Sequence, residues 1–143
     1  MTEISRANLK RAILARLDGF AREHRIGHQR AKANRYAMRS QNGAPIELMF
    51  EKEPETEPHL WVLAAQADSI PVGSLVAESY PKSELYKVPA KGGGMQYGRH
   101  SALEDMTLLG RADLVRFTLR SIADLDVVLS AVMQAKRQGC GGE

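Results

Sequence analysis

The sequence predicts an α+β domain: an antiparallel sheet of about four to six strands with an N-terminal helix, a short helix after Ser101 and a C-terminal helix. Three observations carry that expectation. Apolar residues recur at helical spacing near both ends, the middle of the chain alternates with period two, and Asn42-Gly43 marks a hairpin between two alternating runs. A chain of 143 residues, 43% hydrophobic and 26% charged, can bury one core without disulfide or metal staples. We therefore read residues 1–138 as a single domain and 139–143, G-C-G-G-E, as a flexible tail.

Residues 5–24 form the first helix in this reading. Leu9, Ile13, Leu17 and Phe20 give one apolar stripe, with Leu14 and Ala21 beside it. Asp18 and Arg22, four apart on the other side, are placed to pair. The hairpin follows, and its register decides what its arginines do. A two-residue turn would set Arg39 against Ile46 on the apolar face. A three-residue loop, Asn42 to Ala44, pairs Tyr36 with Phe50, Met38 with Leu48 and Ser40 with Ile46 inside; outside it pairs Arg39 with Glu47 and Arg35 with Glu51. Burial selects the second register, because a one-residue shift turns every side chain over.

Glu51, Glu53, Glu55 and Glu57, broken by Pro54 and Pro58, read as a solvated acidic turn. His59 to Ala65, apolar on both faces, reads as a central strand. Residues 68–84 are turn-rich and hold at most a short strand or helix. Leu85 to Val88 and Met95 to Tyr97 are expected to pair across Gly92, Gly93 and Gly94. Ser101 and Glu104 form a capping box, so a helix is expected from Ala102 to about Leu109, stopped at Gly110. Leu114 to Arg120 alternates as a strand, with Val115, Phe117 and Leu119 inward. Ser121 and Asp124 start the last helix, which buries Ile122, Leu125, Val128, Leu129, Val132 and Met133.

The net charge of +3 conceals an asymmetry. Residues 1–40 carry ten Lys and Arg against three acids, whereas the rest carry ten against fourteen. Residues 24–34 hold no acid at all, which points to a polyanionic partner, nucleic acid first. The phosphate-contacting residues read from the sequence are Arg25, Arg30 and Lys32 in this connector and Lys87, Lys91, Arg99 and His100 around the glycines. Tyr97 is placed to stack on a base, and the electropositive start of the helix after Ser101 to face an anion.

No catalytic residue, cofactor or metal is assigned. The chain lacks G-x-x-x-x-G-K-[ST], H-E-x-x-H, C-x-x-C and G-x-S-x-G. His24 and His28 have the spacing of a helical metal pair, but Gly27 interrupts the helix they would need. Cys140 is the only cysteine, in keeping with a reducing cytoplasm. No run is apolar enough to span a membrane. The functional expectation is a small accessory protein of bacterial or phage type that binds nucleic acid in the cytoplasm. The alternatives are a protein-binding inhibitor or regulator, and a phosphoester-processing enzyme using Arg99 and His100.

Overall fold

The computed structural model describes residues 5–86, 88–89 and 91–136; the expectations for Lys87 and for the tail with Cys140 lie outside the described residues. The fold is α+β. Helix α1 (Arg6–Phe20) leads into strands β1 (Arg22–Glu23), β2 (Ala33–Arg39), β3 (Pro45–Glu51), β4 (His59–Leu63) and β5 (Val76–Tyr80). A two-stranded hairpin, β6 (Val88–Pro89) with β7 (Met95–Gln96), precedes β8 (Leu114–Thr118) and helix α2 (Ile122–Met133). Among the described residues the main sheet has six strands in the order β1-β2-β3-β4-β8-β5, antiparallel throughout. Among the described residues no helix is long and apolar enough to cross a membrane.

Both helices cover one face of this sheet. Ser5 caps α1 by accepting from the Asn8 N–H, and Leu9, Ile13 and Leu17 are buried against Tyr36, Leu48 and Phe50. Ser121 caps α2 through the Asp124 N–H, and Leu125, Val128, Leu129 and Val132 join the same core. Phe20, expected in the α1 stripe, is exposed, since it closes the helix beyond the sheet contact. Asp18 accepts from the Tyr36 hydroxyl at 2.7 Å, in place of the expected pairing with Arg22.

The hairpin keeps the predicted faces but not the predicted partners. Tyr36, Met38, Leu48 and Phe50 are buried, while Tyr36 stands opposite Leu48 and Met38 opposite Ile46. The loop is Gln41 to Gly43, closed by Ser40 N–H to Ala44 O at 2.9 Å and Gly43 N–H to Ser40 O at 3.0 Å. Its last residue must take a left-handed conformation, and Gly43 does so at φ +82°. A loop ending at Ala44 would have forced a side chain into that region. The resulting two-residue shift preserves every face, as a period of two requires. It also dissolves the predicted ion pairs: Arg39 lies opposite Pro45, and Arg35 opposite Met49.

The second face is covered by residues 97–112, which carry almost no regular structure. Ala102, Leu103, Met106 and Leu109 bury against Ala33, Met49, Trp61 and Leu114. The helix expected after Ser101 is a single 3-10 turn, Ser101–Leu103. Its N–H cap is the His100 ring, with Nδ1 accepting from Ala102 N–H at 3.1 Å. Without the Ser101 hydroxyl on the third N–H, nothing holds an α-helical first turn. Gly110 is needed for close approach: a Cβ there would sit 2.6 Å from the Met106 carbonyl oxygen.

Candidate nucleic-acid interface

The acid-free connector leaves β1, loops out and returns as β2. Its shape comes from internal bonds: Gly27 N–H to His24 O at 2.7 Å, Gln29 N–H to Ala33 O at 2.8 Å, and a left-handed Gly27 at φ +82°. Arg35 fastens it from β2, with Nε donating to Gly27 O at 2.6 Å and Nη2 to Ile26 O at 3.3 Å. Arg35 is therefore structural, its charge spent on carbonyls. Arg25, Arg30 and Lys32 are exposed, as is Arg22 on the edge strand β1. None of the four pairs with an acid among the described residues; Arg25 reaches only the Thr107 hydroxyl, at 3.3 Å.

The connector and the cover of the second face are neighbours. Arg35 Nη1 donates to Ala102 O at 3.2 Å, Gln29 approaches the Ser101 hydroxyl at 3.5 Å, and Ile26 and Tyr97 each pack against the second core. The other predicted contacts lie in that cover and in the β6–β7 turn before it, in different states. Lys91 is exposed in the turn between β6 and β7. Tyr97 is half-buried, its hydroxyl donating to Gly110 O at 2.6 Å, and burial pushes that hydroxyl's pKa up. Arg99 donates through Nη2 to Tyr80 O at 2.6 Å, and its Nη1 is enclosed. His100 faces Glu53, with Nε2 3.1 Å from a carboxylate oxygen. These three side chains are engaged within the fold, whereas Arg25, Arg30, Lys32 and Lys91 face solvent.

Strand β3 supplies a polar seam beneath the cover that sequence reading missed. Glu47 is buried; one oxygen accepts from Leu108 N–H at 2.8 Å and Leu109 N–H at 3.0 Å, the other meets His24 Nε2 at 2.6 Å. Glu51 is also buried, accepting from Trp61 Nε1 at 2.6 Å and meeting His59 Nδ1 at 3.3 Å. Burial pushes the Glu51 carboxyl up, but the hydrogen bonds from His59 and Trp61 outweigh it and hold the group below its ordinary range. The acidic turn is thus not simply solvated. Alternating Glu residues do not reveal which carboxylates face inward; only the sheet pairing does.

Glu51, Glu53 and His100 bring possible metal-ligating atoms within 4.8 Å of one another. The hydrogen bonding disfavours a metal at the imidazole. A backbone N–H can only donate, so Ala102 makes His100 Nδ1 the lone-pair nitrogen and leaves the hydrogen on Nε2, directed at Glu53. Metal-ligating imidazoles have the opposite arrangement, with the distal nitrogen donating.

Comparison with family models, curated proteins and solved structures finds no match for this chain.

Proposed function

We propose that the protein binds nucleic acid through its phosphate backbone, using the connector surface formed by Arg22, Arg25, Arg30 and Lys32. One observation carries this reading: four exposed cations lie on the edge strand β1 and the connector that follows it, with no carboxylate paired to any of them among the described residues. Cations so placed retain the charge that releases counterions from a polyanion. Their anchoring through Arg35 and the Gly27 turn holds the backbone beneath them in one arrangement. The contacts are of the positioning kind, so affinity depends on salt more than on base sequence. Fluorescence anisotropy with a labelled oligonucleotide at several salt concentrations tests this. Binding that does not weaken with salt, or no binding at all, ends the reading.

A protein-partner function has its own support at the opposite edge. Among the described residues strand β5 pairs only with β8 and no strand covers its outer edge, although Arg99 occupies the Tyr80 carbonyl. Beside it lies a groove of about 660 Å³ lined by Ile70, Leu75, Ala77, Val115 and Phe117, with Val72 and Val76 exposed. An unprotected edge next to apolar surface suits an added strand. Copurification that resists high salt would favour this reading over the first.

A further inference from the structure

Backbone N–H groups assign a tautomer to three of the four histidines and a carboxylate assigns the fourth; among the described residues only that fourth ring keeps an unengaged lone pair. His24 Nδ1 accepts from Ile26 N–H at 3.2 Å, so Nε2 bears the hydrogen directed at Glu47. His100 repeats this pattern with Ala102 and Glu53. His28 Nδ1 accepts from Arg35 N–H at 3.0 Å, which again places the hydrogen on Nε2. His59 is the reverse case. Its Nδ1 faces the Glu51 carboxylate at 3.3 Å, and an ionised carboxylate can only accept, so Nδ1 bears the hydrogen. Nε2 then carries a lone pair. It has no partner among the described residues and is not among their enclosed polar atoms.

We infer that His59 is the one imidazole of this protein available as a general base or nucleophile, with Glu51 as the positioning residue behind it. A carboxylate on Nδ1–H fixes ring orientation and tautomer and stabilises the imidazolium that forms when Nε2 acts. His100, named with Arg99 in the phosphoester alternative, has both nitrogens engaged. The electrophile we assign to His59 is an acyl group, with which a neutral imidazole nitrogen forms a covalent intermediate. Nε2 bonds to the carbonyl carbon, and the bond to the leaving group breaks with its electron pair. The positive ring keeps its Nδ1 hydrogen against Glu51. Water then adds to the acyl carbon, releasing the carboxylic acid and returning the lone pair to Nε2, while its second proton goes with the leaving group.

The inference is independent of nucleic-acid binding and has two direct tests. Long-range proton–nitrogen NMR at alkaline pH should place the hydrogen of His59 on Nδ1 and those of His24, His28 and His100 on Nε2. Carbethoxylation by diethyl pyrocarbonate, resolved by mass spectrometry, should modify His59 about tenfold faster than the other three, the ratio expected from one hydrogen bond's difference. Glu51→Gln should slow that reaction by a similar factor. Trp61→Phe, which leaves the His59–Glu51 contact in place, should keep His59 the fastest. A His59 hydrogen on Nε2, or modification no faster than that of His28, overturns the inference. If Glu51→Gln fails to fold, the tautomers and relative rates of the parent still decide it.

Discussion

His24 and Glu47 form a fully internal pair, Nε2 to carboxylate oxygen at 2.6 Å, which joins the connector to the middle of the sheet. The same carboxylate takes the Leu108 and Leu109 N–H groups, so one side chain holds two irregular segments to β3. Glu47→Ala leaves three donors without their acceptor, and we expect a loss of about 3–5 kcal/mol. Urea denaturation measures it. A loss under about 1 kcal/mol would show that water replaces the carboxylate.

The interface separates charge from fold. Arg25→Ala, Arg30→Ala and Lys32→Ala should each weaken oligonucleotide binding across sequences and lower the salt slope by about one. Arg99→Ala should instead lower the melting temperature and leave the slope alone, because its guanidinium serves the Tyr80 carbonyl. Unchanged slopes in all three connector variants would remove the connector from the interface.

At the 3-10 turn the cap is the imidazole. His100→Ala is expected to cost about 1–2 kcal/mol, the range of a lost cap. Ser101→Ala should stay within about 0.5 kcal/mol, as a surface change does. Thermal melts of the two variants decide between ring and hydroxyl; the reverse order would restore the capping box.

Gly110→Ala should be severe. Its Cβ would lie 2.6 Å from Met106 O and 2.9 Å from both Glu104 O and Leu103 O, all backbone atoms that cannot turn aside. We expect a loss above about 2 kcal/mol, visible as a lower urea midpoint. A variant as stable as the parent would mean that the segment relaxes.

Acid should act in two stages. Burial is the largest influence on His28 and, with Lys52 and Arg35 adding to it against Glu23, holds its pKa below the ordinary 6.5. Glu51 lies below its ordinary 4.5, burial being outweighed by His59 and Trp61. In both cases the unfolded chain takes up the proton first as pH falls. The contribution of these two groups is therefore complete above about 6.5, begins to fall below that value through His28, and falls again below about 4.5 through Glu51. Urea midpoints across this range should show both stages, and His28→Gln should remove only the upper one.

Local chemistry decided much of this protein. The stripes of α1 and α2, the caps at Ser5 and Ser121, and the alternation around Asn42-Gly43 each rest on residues adjacent in sequence, and the α+β architecture follows from them. The acid-free connector is legible for the same reason, since its exposed cations need no distant partner to be recognised. Tertiary structure decided whatever depends on residues far apart in the chain. A left-handed Gly43 moved the hairpin by two residues, the 97–112 segment covered the face on which Glu47 and Glu51 meet His24, Trp61 and His59, and Arg99 found a carbonyl on β5. A charge costs so much to bury unpaired that its role is set by its partner, and partners from separate strands meet only when the sheet forms.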